Sequence, residues 1–214
     1  MLTKRSKYLR RKAIELSKAN GGYHYGGSFS CAEILSVLYD TVLNEEDRFI
    51  LSKGHGCWVY YVLLMERGYL PKLEGHPHLD IKNGIYCTTG SMGHGFPTGI
   101  GMALAKRLNK QQGTVYVLVG DGECQEGTTW ESMLIAGHLV LENLVVIIDN
   151  NSIQGSDYTS SVLNAIKPLL TFAKTAGWDQ VDVDGHDIQK LKSKLTCERK
   201  KPLLINAITV KGKG

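Results

Sequence analysis

Short apolar runs rich in β-branched residues alternate along the chain with longer segments in which apolar residues recur every third or fourth position. The longer pattern is typical of helices with one buried face, and the short runs are typical of strands buried on both faces. The predicted helices are Lys4–Ala19, Cys31–Val42, Cys57–Arg67, Pro97–Leu108, Glu126–Val140 and Asp187–Leu195. The predicted strands are Phe49–Leu51, Val115–Val119, Leu144–Asp149, Gln180–Val183 and Leu203–Val210.

This alternation predicts an α/β fold, with a doubly wound, mostly parallel sheet that carries helices on both faces. No internal repeat, low-complexity tract or linker divides the chain, so residues 1–214 are predicted to form one domain. Ser30 is placed to cap the helix that begins at Cys31. The polar start of Ser156–Lys167 predicts a surface loop, which leads into a helix near Leu169–Lys174.

Polar side chains follow two of the predicted strands. Asp121 lies in a Gly-Asp-Gly turn after the run Thr114–Val119, and Asn151 follows the run Leu144–Asp149. The carboxyl ends of parallel strands open onto a common crevice, where ligands bind. Carboxylate and carboxamide oxygens, with a backbone carbonyl just after Asn151, suit a hard cation such as Mg²⁺ or Ca²⁺, which usually holds a phosphate. The alternative is a pair of purely structural turns.

Glycines flank the first of these turns. Gly120 and Gly122 allow backbone N–H groups to approach and face a phosphate. The helix predicted after them would add the positive end of its dipole. The two turns therefore predict a cation that holds a phosphate-bearing ligand.

Several histidines lie in glycine-rich loops rather than on apolar helix faces. They are His24, His55, His76 and His94. Together they favour a polar pocket for a hydroxylated substrate, because imidazole relays protons near neutral pH. Taken singly, each is also explained as a hydrogen-bonded loop residue. His138, within a predicted helix, and His186, at the start of another, are interpreted as structural.

Charge and targeting signals exclude several classes of function. The chain has 25 Lys and Arg against 21 Asp and Glu, and a net charge of +4 demands no acidic partner. The basic run Lys4–Lys12 is interpreted as the solvated face of the first helix rather than as a nucleic-acid surface. No signal peptide opens the chain, and no apolar run approaches the roughly 20 residues of a membrane span.

Cysteine usage favours a reducing compartment. The five cysteines form no C-x-x-C pair, and their odd number argues against a disulfide framework or a zinc site. We therefore expect a cytoplasmic protein. Cys124 lies beside the Gly-Asp-Gly turn, but its acidic neighbours disfavour a reactive thiolate.

Longer motifs point to one family. They are GYHYGGSFSCAEIL, DRFILSKGH, GHPHLD, TTGSMGHGFPTGIGMALA, VGDGECQEGTTWESMLIAGHLVLENLVVIIDNN and VDGHD. In order and spacing they resemble the diphosphate-binding domain of the transketolase family, from about Tyr8 to Gly214. The chain looks most like the small N-terminal subunit of a split transketolase, which implies the thiamine diphosphate-binding fold.

The resemblance implies a cofactor and its ligands. The family binds thiamine diphosphate through a divalent cation, here Mg²⁺, with Ca²⁺ or Mn²⁺ as alternatives. By similarity the metal ligands would be Asp121, Asn151 and the carbonyl of Ile153. Gly122 and His55 would contact the diphosphate. The remaining cofactor contacts would come from Gly90, Ser91 and Met92, with the Met92 backbone at the aminopyrimidine.

The resemblance also implies catalytic and interface residues. His24 and His76 would face the sugar hydroxyls, and His55 would assist proton transfer. His94 stands where a glutamine is common, so its catalytic role is less directly carried over.

Self-association is expected through the segment Glu126–Val140. Glu126 and Glu131 match acidic residues that link the two active sites at the family's subunit interface. The apolar residues of this segment are interpreted as interface or core, with at least one in the interface: Trp130, Met133 and Leu134.

The chain departs from the family pattern in places. Tyr25 replaces a proline, and the connections Leu43–Asp47 and Tyr69–Gly75 look short, either as real deletions or as residues absent here. The family's next active-site histidine would fall after Gly214.

The glutamate that activates the aminopyrimidine lies on the family's pyrimidine-binding domain, which we expect on a C-terminal partner chain. The expected assembly is a heterotetramer that transfers a two-carbon ketol group from a ketose to an aldose, acting on a sugar or sugar phosphate. Nucleic acid and membranes are not expected partners. The alternatives are an enzyme half that acts on an α-keto acid, as a synthase or decarboxylase, and a non-catalytic scaffold subunit.

Overall fold

The computed structural model describes residues 3–214 and is built around a five-stranded parallel sheet. Numbered in chain order, its strands are β1 (Arg48–Leu51), β2 (Val115–Gly120), β3 (Leu144–Asn150), β6 (Asp179–Asp184) and β7 (Leu203–Ile208). They lie in the order β1-β2-β3-β7-β6, and every neighbouring pair is parallel. A separate antiparallel hairpin consists of β4 (Ile153–Gln154) and β5 (Asp157–Tyr158).

Helices cover both faces of the sheet. They are α1 (Lys4–Ala19), α2 (Tyr25–Ser30), α3 (Ala32–Val37), α4 (Cys57–Glu66), α5 (Gly95–Leu108), α6 (Gly127–His138), α7 (Thr159–Val162), α8 (Ile166–Thr175) and α9 (Ile188–Leu195). Short 3-10 turns lie at Gly54–Gly56, Ile81–Asn83 and Gly122–Gln125, and a π-helical turn spans Leu38–Val42. The predicted α/β class is confirmed. Within residues 3–214 no helix is both long enough and apolar enough to cross a bilayer.

Alternate residues of the strands enter two separate cores. Leu118 and Ile147 pack on one side, with α1, α3, α4 and α9, whereas Val117 and Val146 pack on the other, with α5, α6 and α8. All six residues of β2 are buried. Burial on both faces is the physical reason for the unbroken apolar runs of β2 and β3, since neither face meets water.

The helix expected from Cys31 begins earlier and is interrupted. The chain is already helical at Tyr25, breaks at Cys31 and ends in the π-helical turn Leu38–Val42. Ser30 caps no helix here, so that expectation was wrong. Its hydroxyl instead donates to Asp149 Oδ2 at 2.5 Å, because a buried carboxylate is a stronger acceptor than free backbone groups offer it.

The segment predicted as a surface loop holds regular structure. Within Ser156–Lys167 lie β5, α7 and the start of α8. The hairpin turns at Gly155, whose φ of +53° lies in the left-handed region that glycine adopts without strain. Two-residue strands carry no readable periodicity, which explains the missed hairpin.

The remaining predicted elements are present with shifted ends. Helix α5 begins at Gly95 rather than Pro97, and α6 ends at His138 rather than Val140. Strand β7 ends at Ile208 rather than Val210, so the last residues leave the sheet early. The five cysteines are all unpaired, and Cys124 is buried.

Helix α6 packs closely on the turn that follows α8. A Cβ atom on Gly137 would lie 1.7 Å from the Ala176 carbonyl oxygen, and the Trp178 indole donates to the Met133 carbonyl at 2.8 Å. Gly137→Ala is therefore expected to lower the free energy of unfolding by about 1–3 kcal/mol, through overpacking against backbone. Urea unfolding followed by circular dichroism measures the loss.

Gly101→Ala is the matched control, because Gly101 lies in the interior of α5 and nothing stands within 4 Å of its added Cβ. That change is expected to raise stability by about 0.5–1 kcal/mol, since alanine loses less chain entropy in a helix. Equal stability of the Gly137→Ala variant and the wild type would contradict the close packing of α6 on α8.

Candidate functional site

Four strands bring polar side chains to one edge of the sheet. Lys53 follows β1, Asp121 follows β2, Asp149 lies at the end of β3, and Thr209 follows β7. Because the strands are parallel, their carboxyl ends share this edge, where ligands bind in open α/β sheets. All four side chains are buried.

Lys53 and Asp149 form a buried ion pair at the centre of this edge. Their side chains are 1% and 0% exposed. The ammonium also donates to the Gly27 carbonyl at 2.8 Å, and Asp149 accepts from the hydroxyls of Thr209 and Ser30. Burial opposes ionisation of Asp149, yet the Lys53 charge and the donated hydrogen bonds together lower its pKa. Asp149 therefore stays ionised inside the protein.

Asp149 orients Asn151. The Asn151 amide nitrogen lies 3.3 Å from Asp149 Oδ2 and 3.4 Å from Ser30 Oγ. A carboxylate only accepts hydrogen bonds, so the nitrogen must face it and the carboxamide oxygen must point the other way. That oxygen accepts from the Ile153 amide at 3.1 Å.

Asp121 is tied to the same loop. Its Oδ1 accepts from the Gly122 amide at 2.9 Å and its Oδ2 from the Ser152 amide at 2.6 Å. Burial and the nearby Asp149 charge raise the pKa of Asp121. A divalent cation placed here would relieve that cost, because it favours the ionised carboxylate.

The oxygen donors fit a hard cation. A carboxylate oxygen of Asp121, the carboxamide oxygen of Asn151 and the Ile153 carbonyl are the type of ligand that Mg²⁺ prefers. Within residues 3–214 no three His, Cys, Asp or Glu side chains converge as a metal set, so a cation here needs the amide and carbonyl oxygens. The Ile153 carbonyl also accepts from Lys211 Nζ at 3.0 Å.

Unpaired polar atoms adjoin the two predicted turns. In the described part of the chain, Gln154 Oε1 and Thr89 Oγ1 are buried without a hydrogen-bond partner. A Cβ atom on Gly122 would lie 3.2 Å from Gln154 Oε1, and one on Gly54 would lie 2.7 Å from Thr89 Oγ1. Buried polar atoms are rarely left unpaired, so these positions suit a polar ligand.

A second buried carboxylate, missed from the sequence, organises the other side of the site. Glu123 accepts from Ser52 Oγ at 2.7 Å, from the Gly93 amide at 3.0 Å and from the Gly120 amide at 2.8 Å. It thereby joins the ends of β1 and β2 to the loop that carries Gly90. Burial raises its pKa. An acidic residue directly after a buried strand was the available signal.

The loop Gly90–Ser91–Met92 lies against one of the predicted histidines. Gly90 has φ +145°, and a Cβ there would lie 3.2 Å from His76 Cδ2. Ser91 and Met92 are exposed, and the Met92 carbonyl lies 3.0 Å from His94 Nδ1. This loop therefore offers backbone and small side chains to the open side of the site.

Three of the four predicted histidines form one cluster. The ring centroid of His24 lies 5.7 Å from that of His55 and 6.5 Å from that of His76. His24 holds an unusual φ of +65°, which turns its ring at the start of α2. His94 is exposed at the start of α5, on the Met92 loop.

The cluster is held neutral by its surroundings. Burial, the Lys53 charge and His24 lower the pKa of His55 to about 3. Burial and His76 lower the pKa of His24. A Cβ on Gly27 would lie 2.7 Å from His55 Cδ2, so glycine is needed for the ring to reach this position. His55 is therefore a neutral hydrogen-bonding group at pH 7.

The helix predicted to self-associate divides its apolar residues between core and surface. Met133 is fully buried, whereas Leu134 and Ile135 are 55% and 50% exposed. The half-buried Trp130 donates to the Cys124 carbonyl at 3.0 Å and packs on Phe172. Met133 therefore belongs to the core of this chain.

Other residues singled out from the sequence lie apart from the histidine cluster. Glu126 precedes α6, and Glu131 and His138 are exposed along it. His186 is paired with Glu33, two residues before the start of α9. Burial and nearby Glu123 and Asp121 raise the pKa of the Cys124 thiol, which agrees with its expected low reactivity.

Comparison with known proteins places this geometry in context. Residues 3–214 match the family model described as "Transketolase, thiamine diphosphate binding domain". The chain is 36% identical over 237 aligned positions to one of the named subunits of the apulose-4-phosphate transketolase of Actinobacillus succinogenes, covering all of this chain and 86% of that protein. The alignment is longer than the 214 residues here, so the relative carries residues that this chain lacks.

Two further similarities support the match. The chain is 34% identical to "6-deoxy-6-sulfo-D-fructose transketolase subunit SqwG" of a Clostridium species, over 96% of this chain and 83% of that one. A solved transketolase from Leishmania mexicana superimposes with a TM-score of 0.88 at 27% identity. This chain spans 38% of the length of that transketolase.

The buried ion pair generates the first prediction for the site. Lys53→Met leaves Asp149 buried without its ammonium and is expected to cost about 3–5 kcal/mol of unfolding free energy. Lys53→Met combined with Asp149→Leu should recover much of the loss, since no unpaired charge remains. Denaturant unfolding measures both, with the exposed Lys201→Met as control. Wild-type stability of Lys53→Met alone would contradict the pairing.

The low pKa of His55 generates the second. Unfolded His55 takes up a proton near pH 6.5 whereas the folded residue does not until about pH 3, so acidification favours the unfolded chain. This group should remove about 1.4 kcal/mol of stability per pH unit below roughly pH 6. His55→Gln should lack that component when urea unfolding is compared between pH 7 and 5. Parallel pH curves for variant and wild type would refute it.

Proposed function

This chain belongs to the transketolase family, and from that premise we propose that it acts as the N-terminal, diphosphate-binding subunit of a split transketolase. The observation that carries the proposal is the convergence of Asp121 and Asn151 at the ends of neighbouring strands, joined through the Ser152 amide. That pair presents oxygen ligands beside glycine backbone, as a cation–diphosphate group requires.

A C-terminal partner chain completes the proposed enzyme. Relatives named as transketolase subunits are matched over more than four-fifths of their length, whereas the Leishmania transketolase is matched over 38%. The remaining part of such a transketolase would be supplied here by the partner. It would bring the glutamate that acts on the aminopyrimidine ring.

Thiamine diphosphate and Mg²⁺, or Ca²⁺ or Mn²⁺ in its place, are the proposed cofactors. Asp121, Asn151 and the Ile153 carbonyl would hold the cation, while Gly122 and His55 would contact the diphosphate. When bound, thiamine diphosphate supplies a nucleophilic carbon and an electron sink for breaking and remaking a bond to a carbonyl carbon. Lys211, whose Nζ lies on the Ile153 carbonyl, would add positive charge toward the diphosphate.

The Gly90 loop would line the other end of the cofactor. Gly90, Ser91 and Met92 would lie along it, with the Met92 backbone at the aminopyrimidine. Glu123 holds this loop against β1 and β2 through the Gly93 amide and Ser52, so the lining surface is built before any ligand arrives. Such preorganisation reduces the cost of ordering the site on binding.

The histidine cluster would handle the sugar. His24 and His76 would hold its hydroxyls, and neutral His55 would accept or donate a proton at its free ring nitrogen. His94 would contribute from the Met92 loop. The proposed reaction transfers a two-carbon ketol group from a ketose to an aldose, with a sugar or sugar phosphate as substrate.

The proposed assembly is a heterotetramer, a dimer of heterodimers in the cytoplasm. Self-association would use the segment Glu126–Val140, where Leu134 and Ile135 expose apolar surface and Glu131 lies beside them. Glu126 adjoins the Gly90 loop, since a Cβ on Gly93 would lie 2.8 Å from Glu126 Cβ. An interface here would thus reach the cofactor site. Neither nucleic acid nor a membrane is a proposed partner.

The proposal is tested by turnover with the partner chain. The complex, thiamine diphosphate and Mg²⁺ are expected to transfer a ketol group between ketose and aldose phosphates. Asp121→Asn should weaken Mg²⁺-dependent binding of thiamine diphosphate about 10- to 100-fold, because one charged ligand is lost. Calorimetry measures binding, and Asp179→Asn, an exposed carboxylate at the start of β6, is the matched control.

The remaining alternatives give different results. Turnover of an α-keto acid without any ketose would mean a synthase or decarboxylase half. A complex that binds neither Mg²⁺ nor thiamine diphosphate would be a scaffold. Unchanged cofactor affinity in Asp121→Asn would contradict the metal assignment even if turnover were found.

A further inference from the structure

The last five residues form a strap across helix α2 beside the candidate site. We call Val210–Gly214 the C-terminal strap. The Gly212 amide donates to the Gly26 carbonyl at 3.1 Å, and a Cβ on Gly26 would lie 3.1 Å from Lys211 Cγ. The Lys211 side chain therefore runs closely over α2. Its Nζ ends 3.0 Å from the Ile153 carbonyl and 3.4 Å from that of Gly155.

Arg10 holds the far end of the strap. Its Nη1 and Nη2 pair with the two carboxylate oxygens of Glu33 at 2.7 and 2.9 Å, and both side chains are 5% exposed or less. The same guanidinium donates to the carbonyls of Ser6 and Phe29, and its Nε donates to the Lys213 carbonyl. All five donors of the planar fork are thus used, which leaves the side chain one position.

His186 holds the near end. Its Nε2 accepts from the Val210 amide at 3.0 Å, while Nδ1 lies 2.9 Å from Glu33 Oε2. Because an N–H donates to Nε2, the ring is neutral and carries its proton on Nδ1, facing the carboxylate. Burial opposes ionisation of Glu33, yet hydrogen bonds from His186 and Arg10 lower its pKa to about 2, so it remains the shared acceptor.

We propose that Arg10, Glu33 and His186 are positioning residues that clamp the C-terminal strap on both sides of Lys211 and so place its ammonium beside the diphosphate site. The clamp itself rests on contacts within this chain, and only its consequence for ligand binding rests on the proposed function. Val210 is held by His186, Gly212 by Gly26 and Lys213 by Arg10. Lys211 lies between these points, so its backbone has no freedom to move away. The role also accounts for the VDGHD motif, whose histidine lies outside the histidine cluster.

Hydrogen exchange tests the clamp without any ligand. His186→Ala removes the acceptor of the Val210 amide, and exchange of that amide is expected to speed up at least about tenfold. His186→Gln, which keeps one donor and one acceptor, should restore much of the protection. His138→Ala, an exposed histidine on α6, is the matched control. Unchanged exchange at Val210 in His186→Ala, with core amides of β2 still protected, would overturn the clamp.

Affinity for magnesium diphosphate tests the consequence. The titration uses the chain itself, because Asp121, Asn151 and Lys211 all belong to it. His186→Ala and Lys211→Met should each weaken binding about tenfold, and the double variant should lose little more, since the clamp acts through Lys211. Lys201→Met is the control for charge alone. Losses that multiply in the double variant, or unchanged affinity in His186→Ala, would overturn the positioning role.

The two proposals fail in distinguishable ways. A wild-type chain that does not bind magnesium diphosphate would contradict the proposed function and the ligand-related part of this inference. Exchange at Val210 would still decide whether the clamp exists, because that measurement needs neither cation nor diphosphate.

Discussion

The architecture of the site depends on one buried ion pair, that of Lys53 with Asp149. Neither charge could remain alone in this interior, because an isolated buried ion costs far more than folding leaves to spend. A buried pair adds little net stability of its own, so its main effect here is on arrangement. Through Asp149 it orients Asn151, and through the Gly27 carbonyl it holds the loop that lies against His55. The metal and histidine sides of the site are thereby set relative to one another.

Glu123 plays the equivalent part on the other side of the sheet edge. It gathers Ser52, the Gly93 amide and the Gly120 amide, which come from three separate loops. Asp149 and Glu123 share a pattern, in which a buried carboxylate at a strand end accepts donors from several segments. Since each donor would otherwise be an unpaired buried group, the loops are held where the carboxylate is. Rigid elements thus carry a site that is itself built from loops.

Sequence reasoning found those site residues that have a local signal. Asp121 and Asn151 follow apolar runs whose strand character can be read directly, and parallel pairing then places them together. Helix and strand ends were predicted to within about two residues, as for α5 and β7. Ser30 was assigned to a helix cap because it stands before a helical pattern, whereas its hydroxyl serves Asp149, which is 119 residues away. Lys53, Glu123 and Lys211 look like ordinary polar residues until their distant partners are known.

By itself the sequence determined the α/β class, the positions of the main strands and helices, and the residue types at the ends of β2 and β3. These depend on hydrophobic periodicity and turn chemistry, which act over a few residues and can be read along the chain. Only the tertiary structure decided which side chains meet: Lys53 with Asp149, Arg10 with Glu33, and His186 with the strap. Such contacts join residues distant in the chain, and their strength comes from burial in a low-dielectric interior that exists only once the sheet and helices have packed.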